Sequence, residues 1–350
     1  MAMATPQGTP YLVGPVPFED VGGGGGEDHI VAVPPPEDEY ADIVSAMPST
    51  TMIGFPLLRY QGSWLLKTWV TGVLSVQRRF APRPDDVLLA SLPKCGTTWL
   101  KSLAFSTMAR AAYPPSAADH PLLRLNPHQC VPFLDDLFSS GEATKAVEAL
   151  PSPRLMNTHM HHSLLPPSVT AGKCKIVYVC RDPKDGLVSM WYFAKSIMPA
   201  GSTYTFSDMF EHACHGETPN GPIWDNILSY WRASRAHPDK VLFLRYEEML
   251  LDPGHAVTNL ARFLGVPFTA AEEAEGTSAD IVELCSFKAM KVLPANNTGT
   301  FTMLGFPHRS LFRKGVAGDW VDHMTPEMAR RFDGIVHEKL RGSGLTFAAP

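Results

Sequence analysis

The run SLPKCGTTWLK at residues 91–101 constrains the fold of this 350-residue chain more than any other segment. Four apolar residues, 87–90, precede the run, and apolar residues at helical spacing follow it from Trp99 to Phe105. This order predicts a buried strand, a tight turn and a helix. The first turn of a helix leaves backbone N–H groups unpaired at the positive end of the helix dipole, so the turn predicts an anion site.

The side chains of the turn support the same prediction. Gly96 lets the backbone approach an anion closely, Lys94 adds a positive charge, and Thr97 and Thr98 add hydroxyl donors. The common nucleotide loop, G-x-x-x-x-G-K-[ST], has its lysine after the glycines, whereas Lys94 precedes the single glycine. We interpret the segment as a phosphate-binding loop; the alternative is a strand–turn–helix corner with an incidental lysine.

Further strands and helices alternate along the chain. The predicted strands are Arg154–His159, Cys174–Cys180 and Lys240–Tyr246, and the predicted helices begin at Pro183, at Glu247 (ending at Leu264) and at Thr325-Pro326. This alternation predicts an α/β fold, a single domain with a central parallel sheet flanked by helices and a P-loop-like phosphate-binding loop. Ligands of such sheets bind at the carboxyl ends of the strands.

Other segments set the domain limits. Residues 1–47 are rich in Gly, Pro and acidic residues and are predicted to be a disordered tail, with the folded domain at 48–350. Residues 60–80 carry apolar residues at helical spacing and predict a helix. Residues 294–309 are polar and contain glycine, and they predict a mobile loop or lid.

Composition excludes several classes of protein. A net charge of −5 and a pI near 6.2 argue against a nucleic-acid or anionic-membrane partner. The six cysteines form no C-x-x-C pair, which suits a reducing compartment. No Lys or Arg precedes Arg59, unlike a secretory signal or a transit peptide, and no apolar run reaches membrane-spanning length. We therefore expect a cytoplasmic protein without a membrane segment.

Five ordered motifs carry a family resemblance. They are PKCGTTW at 93–99, TH at 158–159, RDPKD at 181–185 with Ser189, RYEEM at 245–249 and RKGVAGDW at 313–320. Together they resemble the cytosolic sulfotransferases over about residues 60–347. The segments WYFAK at 191–195 and NPHQCVPF at 126–133 are most similar to the plant branch of that family.

The resemblance implies the co-substrate 3′-phosphoadenosine 5′-phosphosulfate, which carries two separated anionic groups. Its 5′-phosphosulfate would bind the loop formed by Lys94, Cys95, Gly96, Thr97, Thr98 and Trp99. Its 3′-phosphate would bind Arg181, Ser189, Arg313, Lys314 and Gly315, where arginine can offer paired N–H donors. Its adenine would lie against Trp99, Tyr246 and Phe287.

The resemblance also implies the catalytic residues. His159 would be the base that takes the acceptor's hydroxyl proton, because an unperturbed imidazole titrates near pH ~6.5 and is largely neutral in a cell. Lys94 would stabilise the bridging oxygen as the bond to sulfur breaks. His159 and His161 would share a strand face, an arrangement that could also hold a metal, but no third ligand has suitable spacing. We therefore expect no metal requirement.

The acceptor is the least defined part of the prediction. The resemblance places Phe133, Phe193 and Trp64 at the acceptor, and aromatic walls suit a flat or polycyclic hydroxylated metabolite of the flavonoid, steroid or hormone class. Asn157, Cys95 and Cys285 depart from residues common in the family. The sequence leaves open the acceptor's identity, the oligomeric state and two other classes: a catalytically decayed nucleotide-binding protein and a P-loop kinase-like phosphotransferase.

Overall fold

The computed structural model describes residues 14–22, 39–139, 143–198, 201–302 and 304–347. Its strands are β1 (Ser49–Met52), β2 (Phe55–Tyr60), β3 (Ser63–Leu66), β4 (Val87–Ser91), β5 (Leu155–Thr158), β6 (Lys175–Cys180), β7 (Val241–Arg245), β8 (Thr300–Phe301) and β9 (Phe306–Pro307). Its first nine α-helices are α1 (Phe18–Gly22), α2 (Ala41–Ser45), α3 (Lys67–Arg79), α4 (Thr97–Ala109), α5 (Pro127–Cys130), α6 (Leu134–Leu137), α7 (Ala143–Ala149), α8 (Pro167–Thr170) and α9 (Pro183–Lys195). The next nine are α10 (Phe206–Cys214), α11 (Ile223–Ala236), α12 (Tyr246–Leu251), α13 (Pro253–Leu264), α14 (Ala270–Glu275), α15 (Thr277–Leu284), α16 (Phe287–Val292), α17 (Pro294–Asn297) and α18 (Pro326–Leu340).

A parallel four-stranded sheet lies at the centre of the fold, with the strand order β5-β4-β6-β7. The predicted α/β class with a central parallel sheet flanked by helices is therefore confirmed. Each strand is followed by a chain segment that leaves from the same edge of the sheet. The carboxyl ends of all four strands are consequently brought together, although Ser91, which ends β4, and Val241, which begins β7, are 150 positions apart in the sequence.

Both faces of this sheet are buried, which explains its nearly continuous apolar strands. Along β6, Ile176, Tyr178 and Cys180 join one apolar cluster, whereas Val177 and Val179 join a second cluster on the opposite face. Successive strand residues point to opposite faces, so an unbroken apolar run supplies both cores at once.

A second, antiparallel sheet of β1, β2 and β3 corrects one prediction. Residues 60–80 were predicted to be helical throughout, but residues 63–66 form β3 and the helix α3 begins only at Lys67. All four β3 residues are buried and pair with β2. The run Trp64-Leu65-Leu66 is apolar enough for either element, and tertiary pairing decides between them.

Two further predicted boundaries change. The helix expected over Glu247–Leu264 is two helices, α12 and α13, because Asp252 leaves helical geometry and caps α13 by accepting a hydrogen bond from the His255 N–H at 2.9 Å. The loop expected over 294–309 contains α17 and the strand pair β8–β9. The helix predicted at Thr325-Pro326 is α18, with Thr325 as its N-cap.

The prediction of a disordered tail is wrong for residues 14–22 and 39–47. Tyr40 is buried with 1% of its surface exposed, and Asp20 forms an ion pair with Arg124. The remaining parts of that prediction, 1–13 and 23–38, lie outside the described residues. Within the part of the chain that the structure describes, no helix combines the length and the apolar character needed to cross a bilayer.

A buried ion pair joins the amino ends of two central strands and allows a stability test. Arg154 Nε donates to Asp86 Oδ1 at 2.8 Å, and the two side chains are 2% and 0% exposed. Arg154→Ala would leave the Asp86 carboxylate buried without its cation, and we expect the free energy of unfolding to fall by about 3–5 kcal/mol in urea denaturation.

The control is the exposed pair Arg341–Glu338, whose side chains are 70% and 58% exposed. Arg341→Ala should cost less than about 1 kcal/mol. Equal losses in the two variants would contradict the assignment of a stabilising role to the buried pair.

Candidate active site

A cavity lies at the carboxyl ends of the central strands. It is lined by fifteen of the seventeen residues predicted for the site, namely Lys94, Gly96, Thr97, Thr98, Trp99, Phe133, His159, Arg181, Ser189, Phe193, Tyr246, Phe287, Arg313, Lys314 and Gly315. These residues come from seven separate chain segments. The fold therefore assembles one site from motifs that the sequence presents in order but far apart.

The turn between β4 and α4 has the geometry of an anion cradle. Lys94 and Gly96 both have positive φ, at 67° and 102°, so the turn reverses tightly before α4 begins at Thr97. A Cβ at position 96 would lie 2.8 Å from the Tyr246 ring, so only glycine fits. Tyr246 in turn packs edge-on against Trp99, with ring centroids 5.6 Å apart.

The Lys94 side chain is held at the cavity. Its Nζ donates to the Ser310 carbonyl at 3.2 Å and lies 4.5 Å from the centre of the Phe193 ring. Burial, together with the positive charges of Arg181 and Arg313, lowers the pKa of Lys94 to about 7. An anion in the cavity would restore the protonated form of this lysine.

A second cationic cluster lies beside the first. Arg181 donates to the Val316 carbonyl at 2.7 Å and stacks over the Tyr246 ring at 4.7 Å. Arg313 pairs with Asp319 at 2.6 Å. The Nε atoms of Arg181 and Arg313 are both buried and have no hydrogen-bond partner in the described residues. Unpaired buried guanidinium donors fit a phosphate group.

Close packing fixes the loop that carries Arg313. Gly315 has φ of 69°, and a Cβ there would lie 2.5 Å from the Phe287 ring. Phe287 therefore packs directly on the glycine backbone and lines the cavity next to the cationic cluster. Ser189, on α9, lines the same region.

The orientation of His159 suits a proton acceptor. Its Nδ1 lies 2.7 Å from the Ser91 carbonyl oxygen, which can only accept, so Nδ1 carries the proton. Nε2 has no partner among the described residues and keeps its lone pair. The backbone is fixed by Asp135, which accepts from the His159 N–H at 3.0 Å and from the Thr158 hydroxyl at 2.5 Å.

Burial changes the protonation behaviour expected for His159. Complete desolvation, aided by the charges of Lys101 and Lys94, lowers the pKa of His159 to about 3 although the Ser91 carbonyl opposes the shift. The pKa of His159 in the free protein therefore lies below the value of ~6.5 that an unperturbed imidazole has. The imidazole is neutral throughout the physiological range.

Aromatic side chains form the wall around His159. Phe133 lies 4.9 Å from the imidazole and packs edge-on against Trp69 at 5.1 Å, and Phe193 packs against Phe306 at 5.1 Å. Trp64, predicted to line the acceptor site, does not line this cavity: its backbone pairs with Gly221 and its ring packs under Arg59. Trp69, on α3, lines the cavity instead.

The Cys95 side chain points away from the cavity. The residue is 5% exposed and its thiol faces Gly186 on the far side of the loop. Burial raises the pKa of Cys95 to about 12, so the thiol stays protonated. Any contact from this position to an anion would come from the backbone.

Several lining residues were not predicted from the sequence. Trp69, His128, Phe301 and Phe306 line the cavity, and Lys101 and Asp135 support it from behind. His128 lies in the NPHQCVPF segment and Lys101 ends the loop motif, so both residues lie in segments that the sequence had already marked as part of the site. His161 caps a short 3₁₀ helix through Ser163 and does not line the cavity.

Asn157 and Cys285, which depart from residues common in the family, both line the cavity. Asn157 lines the cavity and donates to the Leu89 and Thr158 carbonyls, and its Oδ1 is buried without a partner. Cys285 lines the cavity with its sulfur 3.5 Å from the Ser106 hydroxyl. Among the described residues, no group of three or more His, Cys, Asp or Glu side chains could hold a metal ion.

Comparison with known proteins agrees with the fold. The family model described as "Sulfotransferase domain" matches residues 84–344. Cytosolic sulfotransferase 5 of Arabidopsis thaliana is 41% identical over 89% of this chain and 97% of its own length. Cytosolic sulfotransferase 8 of the same plant is 43% identical over 88% of this chain and 93% of its own length. The chain belongs to the plant branch of the cytosolic sulfotransferase family.

Solved structures of other proteins are similar to this chain in fold. An Arabidopsis thaliana protein provisionally assigned as a steroid sulphotransferase is 36% identical, with a TM-score of 0.72 over 91% of this chain and 99% of that one. A mouse sulfotransferase in complex with PAP is 29% identical, with a TM-score of 0.66 over 82% of this chain and 95% of that one. The P-loop-like turn and parallel sheet are thus features of the family.

The lowered pKa of Lys94 predicts a proton taken up on binding. At pH 8 most of the free protein carries neutral Lys94, and a bound bisphosphate raises the pKa of the lysine, so adenosine 3′,5′-bisphosphate should bind with net proton uptake. Its affinity should therefore fall as the pH rises above about 7. Calorimetry in two buffers of different ionisation enthalpy measures the number of protons.

Lys94→Met is the matched variant, because it keeps the length of the side chain without the charge. Proton uptake should drop by up to about one proton in this variant, while any contribution from other groups persists. Identical uptake by the two proteins would show that Lys94 is already fully protonated in the free protein.

Proposed function

We propose that this enzyme transfers a sulfuryl group from 3′-phosphoadenosine 5′-phosphosulfate to a hydroxyl of a flat aromatic or polycyclic metabolite, with His159 as the general base. The observation that carries the proposal is the free Nε2 lone pair of His159. It lies between a cationic loop and an aromatic wall in one cavity. A hydroxyl bound against the wall could therefore give its proton to His159 while it faces the loop.

The co-substrate, when bound, supplies an activated sulfuryl group. His159 Nε2 accepts the proton of the acceptor hydroxyl, and the Ser91 carbonyl stabilises the imidazolium through Nδ1–H. Lys94 offers positive charge on the side where the leaving phosphate becomes more negative. Negative charge bound in the cavity also offsets the lysines that disfavour imidazolium, so the donor complex makes His159 a stronger base than the free protein does.

The wall of the cavity supports the acceptor class. Trp69 and Phe133 pack against His159, and Phe193, Phe301 and Phe306 line the same cavity. Rigid apolar rings favour planar acceptors and offer few donors to a short polar hydroxy acid. Flavonoid, steroid and hydroxylated hormone skeletons fit this chemistry.

Removal of the base tests the mechanism. His159→Ala should lower turnover by about 10²–10⁴-fold while the dissociation constant of adenosine 3′,5′-bisphosphate changes little, since the base acts on the acceptor proton. In the free enzyme, ¹⁵N signals of His159 should show a neutral ring between about pH 5 and pH 8.

His161→Ala is the control, because this histidine lies two residues away and outside the cavity. It should retain activity. A dead His161→Ala with an active His159→Ala would show that the base is misassigned. Loss of activity in both, restored by added zinc, would favour a metal pair instead.

The acceptor class is tested by transfer of radiolabelled sulfate to a panel of flavonoids, steroids, simple phenols and hydroxy acids without added magnesium. Planar acceptors should give the highest kcat/KM, and Phe133→Ala should lower it by about tenfold for these acceptors alone, since one aromatic contact is worth about 1 kcal/mol or more. Preference for hydroxy acids would overturn the proposed class. Bisphosphate binding without transfer to any acceptor would favour a decayed enzyme, and magnesium-dependent ATP binding would favour a kinase.

A further inference from the structure

Lys101 is a buried lysine directly behind the phosphate loop, and the mechanism above does not use it. Its side chain is on α4, and the residue has 0% of its surface exposed. Its Nζ lies 3.0 Å from the Val131 carbonyl oxygen and 3.1 Å from His128 Nδ1. On the other side of the ring, His128 Nε2 lies 3.2 Å from Thr98 Oγ1. These contacts form a series of hydrogen bonds from the buried Lys101 amine to Thr98 of the phosphate loop.

The charge of Lys101 has no direct counter-ion. Lys101 takes part in none of the ion pairs found in the described portion of the chain. Burial lowers the pKa of Lys101 to about 7, although Asp135 and Asp136 oppose the shift from a distance. A bound anion would favour the ammonium form, as it does for Lys94.

The ammonium form of Lys101 determines which atom donates in each hydrogen bond between Lys101, His128 and Thr98. A protonated lysine can only donate, so His128 Nδ1 must accept and the ring proton must be on Nε2. A second proton on the ring is excluded, because like charges would lie about 3 Å apart; the Lys101 charge and burial lower the pKa of His128 well below its usual range. His128 Nε2–H therefore donates to Thr98 Oγ1.

The Thr98 hydroxyl then has its own hydrogen left to donate. Its oxygen is occupied by His128, and Thr98 lines the cavity at the first turn of α4. No acceptor for this hydroxyl is found among the described residues, so its hydrogen is available to an anion in the loop. His128 cannot serve as a second base, because both of its ring nitrogens are engaged.

We propose that Lys101 and His128 are positioning residues that fix the Thr98 hydroxyl as a hydrogen-bond donor to the 5′-phosphosulfate. This inference rests on the proposed binding of the 5′ group at residues 94–99. At pH values below about 7, where Lys101 is mostly protonated in the free protein, its ammonium orients the imidazole, and the imidazole orients the hydroxyl before the anion arrives. A donor oriented in advance binds charge without the cost of reorganisation.

The test compares two ligands that differ only at the 5′ position. Adenosine 3′,5′-bisphosphate reaches the loop, whereas adenosine 3′-monophosphate lacks the 5′ group. Lys101→Met and His128→Phe should each weaken the bisphosphate roughly tenfold and leave the monophosphate within about twofold, since a hydrogen bond to a charged group is worth about 1.5 kcal/mol or more. Thr98→Val should do the same.

A double-mutant cycle tests whether Lys101 acts on ligand binding through Thr98. If Lys101 acts through Thr98, the double variant Lys101→Met/Thr98→Val should bind the bisphosphate about as weakly as Thr98→Val alone. Independent losses that multiply to about a hundredfold would overturn the proposal. So would an equal loss of affinity for both ligands, which a general structural defect would cause.

Lys175→Met is the matched control for removing a lysine that donates to a backbone carbonyl. Lys175 Nζ donates to the Phe263 carbonyl at 2.6 Å at the opposite end of the sheet, so this variant should bind both ligands as the wild type does. Thermal melting of each variant confirms that it is folded. A Lys101→Met protein that does not fold would leave the cycle to be run with His128→Phe, whose effect must likewise vanish in the Thr98→Val background.

The tautomers of the two histidines can be measured by NMR independently of ligand affinity. With ¹⁵N-labelled histidine, His128 should show the Nε2–H tautomer and His159 the Nδ1–H tautomer, with the His128 signals assigned by their loss in His128→Phe. An Nδ1–H tautomer at His128 would overturn the proposed donor-to-acceptor direction of the hydrogen bonds from Lys101 to Thr98. Wild-type protein that binds the bisphosphate no more tightly than the monophosphate would instead overturn the 5′ site itself, and the proposal with it.

Discussion

The concentration of positive charge in a largely dehydrated cavity is the constraint on which the rest of the structure depends. Lys94 and Arg181 are brought to the carboxyl edge of one sheet with Arg313, and their mutual repulsion adds to desolvation in lowering the pKa of Lys94. Such an arrangement is unfavourable in the free protein, because charges buried together gain little from solvent. It becomes favourable when an anion enters. The site therefore favours an anionic ligand.

The parallel sheet makes this concentration possible. Both of its faces are covered by apolar clusters, so the strands are held rigidly and their ends have fixed positions. The loop after β4 supplies Lys94, the end of β5 supplies His159, and the segment after β6 supplies Arg181. Residues about 90 positions apart in sequence consequently act in one cavity, while the backbone around each is fixed by hydrogen bonds such as those of Asp135.

Two histidines illustrate how surroundings decide chemistry. His159 and His128 are both desolvated and both neutral, but their partners differ. A carbonyl oxygen at His159 Nδ1 leaves Nε2 as a free acceptor, whereas the Lys101 ammonium at His128 Nδ1 turns Nε2 into a donor. The same side chain thus suits a base in one place and an orienting group in the other. Neither tautomer could be inferred from the residues that flank these histidines.

The sequence by itself determined the elements whose signal is local. An apolar run followed by a lysine, a glycine and two threonines specifies a strand, a turn and a helix with an anion site, and the alternation of such units specifies a parallel sheet. Tertiary structure decided whatever depends on neighbours distant in the chain. It turned residues 63–66 into a strand, replaced Trp64 by Trp69 at the cavity, turned the Cys95 thiol away and lowered the pKa of His159. Pairing, side-chain direction and desolvation are set by the atoms that surround a residue, and the local sequence does not contain them.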